Sequence, residues 1–167
     1  MQSLRKRSPA ICSWSINLSE KMRIYKTEDK KKYLSLLLLA DEQESMVDKY
    51  LENGEMYVID DGGVKGEIVV CETPDGVAEI KNLAVLPEFQ KRGYGRALIG
   101  FVCERCKGRF DVLRVGTGDS PLTVQFYEKC GFVRAYAVKN FFTDNYDHPI
   151  IECGVRLRDM IYLEKRL

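Results

Sequence analysis

The sequence predicts an α/β (α+β) domain with seven strands and four helices. Segments with a hydrophobic period of two alternate with segments whose apolar residues recur every three to four positions. Turn signals, Asp60–Gly63 and Thr73–Gly76, separate consecutive strands in the middle of the chain and make them antiparallel neighbours. The length of 167 residues and the hydrophobic fraction of 45% suit one domain with a buried core.

The first half of the chain predicts a strand, two helices and then three strands. Met22 to Lys26 alternates enough for a strand, and Thr27 is a suitable helix N-cap. The leucines from Leu34 onward have helical spacing, and a second helical stretch, Met46 to Leu51, ends at Asn53-Gly54. The alternating segments that follow predict three strands, over residues 56–59, 67–70 and 77–86.

The second half predicts two further helices and three further strands. A helix from Gly93 to Lys107 carries an apolar stripe, and the strand 111–116 follows it. Pro121, at an allowed first helical position, starts another helix that stops at Cys130-Gly131. Two final strands are predicted over residues 132–142 and 155–163, and no repeat or second domain is evident.

The composition narrows the classes of partner. With 26 basic and 25 acidic residues, the net charge of +1 favours neither a nucleic-acid nor a membrane partner. The longest dense apolar run, Leu34 to Ala40, is far short of the ~20 residues of a membrane span. The six cysteines, including a lone Cys103-x-x-Cys106 pair, are typical of free thiols in a reducing cytoplasm, without a metal site.

Residues 1–21 differ from the rest of the chain. Arg5, Lys6 and Arg7 come early, serines are frequent, and the first acidic residue is Glu20. The segment has features of a transit peptide, but a flexible basic extension is the favoured interpretation. The folded domain is therefore expected to span residues 22–167.

A glycine-spaced basic loop follows the long apolar strand 77–86. Gly93 and Gly95, among Lys91, Arg92 and Arg96, let the backbone approach a ligand closely, just where a helix begins. The free N–H groups of a helix start favour an anion, so the loop predicts a pyrophosphate site. A dinucleotide fingerprint would need a third glycine at Leu98, and a Walker loop would need Gly-Lys-Ser/Thr, so both nucleotide motifs fail.

In this loop and in a second patch, the chain resembles the GCN5-related N-acetyltransferase (GNAT) superfamily. Gln90-Lys91-Arg92-Gly93-Tyr94-Gly95 fits that family's Q/R-x-x-G-x-G/A signature at each defined position. A second patch, Phe126 to Phe132, is similar to the family's FYEKxGF helix end. The resemblance implies the GNAT fold: a central mixed, mostly antiparallel, twisted sheet of about six to seven strands, flanked by about four helices.

The resemblance also implies acetyl-CoA as donor and a primary amine, on a small molecule or a peptide, as acceptor. In this family the fourth strand binds the pantetheine arm, which corresponds here to Leu83, Ala84 and Val85. The motif loop would hold the pyrophosphate, through Gln90, Lys91, Arg92, Gly93, Tyr94, Gly95 and Arg96. A monomer or a homodimer is expected. The alternative function is a non-catalytic acyl-CoA-binding or sensor module of the same fold.

Two residues are candidates for proton transfer. Side chains two residues apart share a strand face, so Glu79 is expected on the same face as Lys81. It is either the base that deprotonates the amine or an exposed acid paired with Lys81. Tyr127 matches the family's tyrosine that protonates the departing CoA thiolate; the alternative is an aromatic residue of the core. A backbone N–H near Val85 is the expected oxyanion donor.

Three further features bear on cofactor and acceptor. Asp119 stands where many relatives have an asparagine that contacts the cofactor; it can cap the next helix or accept a hydrogen bond, but when ionised it cannot donate one. His148 is expected to be a loop residue. Acceptor pockets in this fold form from the early helices and the connection before the last strand. Here these contain Asp41, Glu42, Glu44 and an aromatic-acidic stretch, 141–147. These groups either recruit a cationic amine or form a solvated loop with packed aromatic residues.

Overall fold

A computed structural model of the protein describes residues 22–167. The predicted N-terminal extension, residues 1–21, lies outside the described residues. Nine strands are present in them: β1 Arg23–Thr27, β2 Glu55–Asp60, β3 Val64–Glu72, β4 Ala78–Val85, β5 Val112–Gly118, β6 Val133–Val138, β7 Ile151–Glu152, β8 Val155–Arg156 and β9 Met160–Arg166. The α-helices are α1 Leu34–Leu37, α2 Glu44–Leu51, α3 Tyr94–Cys106, α4 Pro121–Lys129 and α5 Phe141–Asn145, with 3₁₀ turns at Lys30–Tyr33 and Pro87–Phe89.

Seven of the strands form one sheet in the order β1-β2-β3-β4-β5-β9-β6. All neighbouring pairs are antiparallel except β4 and β5, which are parallel because α3 makes the crossover between them. The predicted mixed, mostly antiparallel sheet is therefore confirmed. The two short strands β7 and β8 pair with each other in a separate hairpin.

The parallel pair separates part-way along its length and makes a fork in the sheet. β4 and β5 pair only from Ala78 opposite Leu113 to Ile80 opposite Val115. β4 nevertheless continues to Val85, paired on its other side with β3. Its register against β3 shifts at Lys81, which stands as an extra residue between the partners of Val69 and Val70. A bulge of this kind bends a strand, and here it lies where the two strands part.

Each sheet face has its own core. On one face α3 and α4 pack against alternate sheet residues, including Ile68, Ile80 and Leu113. On the other, α1 and α2 cover a smaller cluster that contains Leu37, Val47 and Val69, together with Met56, Val58 and Cys71. Because both faces are covered, the central strand β3 is buried over most of its length.

Several predicted element bounds were wrong. The strand predicted over 132–142 ends at Val138, and its Phe141-Phe142 pair instead begins α5, where Phe142 packs with Ile150 and Leu157. The strand predicted over 155–163 is split into β8 and β9 by a segment without regular structure. Aromatic and β-branched residues fit a helix face or a strand equally well over so few positions, so tertiary packing decides.

Two other predictions concern the helices. Thr27 ends β1, and the first helical turn begins only at Lys30, without a side-chain cap. Cys103 and Cys106 are both buried in α3, as two helix positions one turn apart. Among residues 22–167, none of the helices is both long and apolar enough to cross a membrane.

Candidate active site

The fork leaves one edge of β4 open. The Leu86 N–H donates to the Lys65 carbonyl at 2.9 Å. Main-chain N–H and C=O groups alternate in direction along an antiparallel strand. The groups of Ala84, like those of Leu86, therefore point toward β3, whereas the N–H and C=O groups of Leu83 and Val85 point into the fork. Beyond Ile80, β5 no longer pairs with this edge. An extended ligand can therefore add to β4 here as a further strand would.

The basic loop begins where this open edge ends. Gln90 reaches back and donates from Nε2 to the Val85 carbonyl at 3.1 Å, which ties the loop to the strand. Lys91 and Gly93 have φ of 60° and 92°, in the left-handed region, and Gly93 precedes the first residue of α3. A side chain at Gly93 would strain the backbone.

The first turn of α3 presents free N–H groups to the solvent side of the loop. Its first internal hydrogen bond runs from the Ala97 N–H to the Gly93 carbonyl at 2.9 Å, so the N–H groups of Tyr94, Gly95 and Arg96 are not used within the helix. A Cβ at Gly95 would lie 3.1 Å from Phe126 Cζ and 3.8 Å from Val85 Cγ2. Gly95 therefore brings the helix start, the end of β4 and α4 together.

Two cations flank the Phe89 ring: Lys65 of β3 and Arg92 of the loop itself. Lys65 Nζ is 4.1 Å from the centroid of the Phe89 ring, and the Arg92 guanidinium carbon is 5.4 Å from the same centroid. Phe89 thus holds two positive side chains beside the motif. Sequence reasoning missed Lys65, because only the pairing of β3 with β4 brings it to the loop. The Tyr94 hydroxyl donates to Asp61 at 2.8 Å and ties α3 to the β2–β3 turn.

Tyr127 lies on α4 beside the fork. It is buried, and its ring makes edge contacts with Phe126 and Phe132 at centroid distances of 5.1 and 5.6 Å. Burial raises the pKa of the Tyr127 phenol above its ordinary value, and the nearby Cys130, Glu152 and Glu67 raise it further. Its hydroxyl therefore keeps its proton at neutral pH. Both roles named from the sequence, proton donor and core aromatic, are compatible with this position.

Glu79 lies in the short segment where β4 and β5 still pair, just before the fork, and its partner there is Arg114 of β5. It is 6% exposed, and its Oε1 accepts a hydrogen bond from Lys81 Nζ at 2.7 Å. The predicted Glu79–Lys81 pair therefore exists, but the acid is buried rather than exposed. Lys81 is the bulge residue, so the irregularity of β4 brings the two side chains together.

Asp119 does not cap the next helix, and His148 lies in the loop between α5 and β7. Asp119 Oδ1 accepts the Arg158 main-chain N–H at 3.2 Å, so it holds the segment before β9 and does not cap α4, whose N-cap is Ser120. His148 contacts Asp147 and lies 3.6 Å from Glu42, and the hydrogen bond with Asp147 raises the pKa of its imidazole. The imidazole thus links the early helices to the late segment.

A buried polar cluster under α1 and α2 was not singled out from the sequence. Glu67 and Asn82 are 0% and 3% exposed. Asn82 Nδ2 donates to the Leu37 carbonyl at 3.0 Å and to the Tyr50 hydroxyl at 2.8 Å. One sequence feature could have indicated this cluster. Glu67 is a charged residue within an otherwise apolar strand segment, Gly66-Glu67-Ile68-Val69-Val70. Charged residues are rarely fully buried unless they are paired.

Comparison with known proteins decides the family. A model of the acetyltransferase (GNAT) domain matches residues 52–134. The chain is 38% identical over 148 residues to an uncharacterized N-acetyltransferase, YvbK, of Bacillus subtilis, with 86% of this chain and 96% of the relative covered. The chain belongs to the GNAT acetyltransferase family.

Solved structures of GNAT proteins agree with this assignment. The IAA acetyltransferase from Bacillus cereus superimposes with a TM-score of 0.82 at 37% identity, over 87% of this chain and 99% of that one. A GNAT family acetyltransferase from Elizabethkingia anophelis, solved with acetyl-CoA bound, gives a TM-score of 0.82 at 35% identity, over 89% of this chain and all of that one (100%). The GNAT fold expected from the sequence is thus confirmed.

Proposed function

We propose that this GNAT protein is an N-acetyltransferase that moves an acetyl group from acetyl-CoA to a primary amine, with both substrates bound together. The observation that supports it best is the convergence of three features on one point. These are the open edge of β4, the left-handed loop at Gly93 and the unused N–H groups of α3. The relative from Elizabethkingia anophelis, with the same fold, was solved with acetyl-CoA bound.

The residues present fit acetyl-CoA. Leu83, Ala84 and Val85 would hold the pantetheine arm, with the Leu83 N–H and carbonyl and the Val85 carbonyl as its hydrogen-bonding partners. The loop from Gln90 to Arg96 would hold the pyrophosphate, because free helix N–H groups and cations attract phosphate oxygens. Asp119 at the end of β5 is a further proposed contact, as an acceptor only. Acetyl-CoA supplies the activated thioester.

In this proposal the chain's own groups orient the thioester and move protons. The Val85 N–H, directed into the fork, would hold the acyl oxygen. Tyr127, whose raised pKa keeps it protonated, would donate to the sulfur as it leaves. Glu79 would take the proton of the amine through water, because Lys81 already engages one of its oxygens.

The acceptor would come from the side of α1, α2 and α5. The Tyr146 hydroxyl donates to Asp41 at 3.2 Å and joins these segments. A cavity of about 200 Å³ beside Tyr146 is lined also by Phe142, His148 and Leu157. Aromatic and acidic groups together suit a cationic amine.

The test measures release of CoA thiol from acetyl-CoA over a panel of primary amines, together with calorimetry of CoA binding. We expect CoA to bind and at least one amine to be acetylated. Binding of CoA without any turnover would favour the acyl-CoA sensor alternative. No binding of CoA would overturn the whole assignment of the loop.

A further inference from the structure

Glu67 is a buried acid that the proposed mechanism does not use. It lies on the central strand β3, on the face covered by α1 and α2, and is 0% exposed. The Glu67 carboxylate meets no side-chain donor or cation within residues 22–167; only the Ala84 main-chain N–H is close enough to lower its pKa. Asn82 Oδ1 has no hydrogen-bond partner there either. Buried polar atoms that lack full pairing are rare and costly, so three such oxygens together indicate a ligand.

Glu67 and Asn82 are neighbours on the sheet. Glu67 pairs with Ala84, and Val69 pairs with Asn82, so the two side chains are diagonal on one face, within the reach of one small group. Ala84 lies between Leu83 and Val85, whose main-chain groups open into the fork. The free oxygens are thus next to the place proposed for the acyl end of the donor.

The orientation of the Asn82 amide is fixed by its donors. Both amide hydrogens are used, since Nδ2 donates to the Leu37 carbonyl and to the Tyr50 hydroxyl. A flipped amide would lose the bond to the Leu37 carbonyl, which accepts only. Oδ1 is therefore the atom left free beside Glu67.

We propose that Glu67 and Asn82 form the binding site for the ammonium group of the acceptor, an inference that rests on the proposed acetyltransferase function. When the Glu67 carboxyl is deprotonated, the three oxygens are all acceptors, and a primary ammonium has three N–H donors and no acceptor. The carboxylate supplies the opposite charge. A quaternary ammonium has the charge but none of the donors, and a neutral alcohol has one donor and no charge.

The surroundings of Glu67 are acidic and phenolic. Asp41, which precedes α2, Tyr50 of α2 and Tyr146 after α5 lie on the covered side, and Tyr127 of α4 lies toward the fork. Burial raises the pKa of Tyr50, and the charges of Asp41, Glu67 and Tyr146 raise it further. Without a ligand, burial raises the pKa of Glu67 itself to about 8, so binding of an ammonium releases the carboxyl proton to solvent.

The cover over this site is thin. It consists of α1, only four residues long, and α2, whose Tyr50 hydroxyl accepts a hydrogen bond from Asn82. The Tyr146–Asp41 hydrogen bond closes it on the side of the 200 Å³ cavity.

The test measures binding of three primary ammonium probes, methylammonium, butylammonium and 2-phenylethylammonium, by calorimetry in the absence of acetyl-CoA. Butyltrimethylammonium carries the same charge without N–H donors. Glu67→Gln keeps the shape of the side chain and removes its charge. Glu72→Gln changes an exposed acid at the end of the same strand and is the matched control.

We expect at least one primary probe to bind the wild-type protein, with its affinity reduced at least tenfold in Glu67→Gln and unchanged in Glu72→Gln. Butyltrimethylammonium should not bind. No binding by any primary probe, or equal binding by Glu67→Gln, would overturn the proposal. Thermal unfolding of each variant shows that it is folded.

Kinetics separate this inference from the proposed function. If amines are acetylated, Glu67→Gln should raise KM for the amine and leave KM for acetyl-CoA unchanged; an unchanged amine KM refutes the ammonium site but leaves the acetyltransferase assignment standing. If no amine is acetylated but the probes bind in a Glu67-dependent way, the function fails and the site stands.

Discussion

The buried carboxyl of Glu67 should make the stability of the protein depend on pH. Its pKa is raised from 4.5 to about 8 by burial, whereas in the unfolded chain it returns to the lower value. Between these two values the native state binds more protons than the unfolded state, so the free energy of unfolding falls as the pH rises. The stabilisation is complete below about pH 4.5 and is lost through pH 8.

The magnitude follows from the two pKa values. Between pH 5 and pH 8 the linkage relation gives a loss of about 3 to 4 kcal/mol from this one group. In Glu67→Gln, which does not titrate, that loss should vanish. His148 and Asp41 also titrate, but they do so in both proteins and cancel in the difference.

Urea unfolding at pH 5, 6, 7 and 8 measures this difference. With a denaturant dependence of about 2 kcal/mol/M, the gap between the wild-type and Glu67→Gln midpoints should change by about 1.5 to 2 M over the range. Glu72→Gln, with its exposed carboxyl, should follow the wild type. Parallel wild-type and Glu67→Gln curves would refute a buried, unpaired acid at this position.

Three other substitutions test the site and the core. Tyr127→Phe should leave CoA affinity unchanged and slow turnover by about 10² to 10⁴-fold; an unchanged kcat removes Tyr127 from the chemistry. Gly93→Ala, at φ 92°, should lower the free energy of unfolding by about 1 to 2 kcal/mol and weaken CoA binding. Gly100→Ala, inside α3, should do neither. Urea unfolding measures the first effect and calorimetry the second. Leu37→Ala should lower the unfolding free energy by about 2 to 5 kcal/mol, since Leu37 is 0% exposed; a smaller loss would mean that α1 packs loosely.

Local chemistry made much of the fold predictable. The hairpin at Asp60–Gly63 and the turn at Thr73–Gly76 depend on glycine and aspartate within four residues, so β2, β3 and β4 could be predicted in order. The loop was recognisable for the same reason, because left-handed φ at Gly93 is a property of glycine itself. The start of α5 was wrongly predicted as the end of a strand, and β9 was predicted to begin too early, since aromatic residues suit either structure over so few positions.

The family, the glycine-spaced loop before α3 and the order of the elements up to β6 could be recognised in the sequence, because they depend on residues close together in the chain. The surroundings of Glu67 and Asn82 come from packing between distant segments. The Asn82–Leu37 hydrogen bond joins residues 45 positions apart, and Glu67 meets Ala84 through strand pairing. Burial and the lack of a side-chain partner are properties of the packed chain, so no local pattern could reveal them.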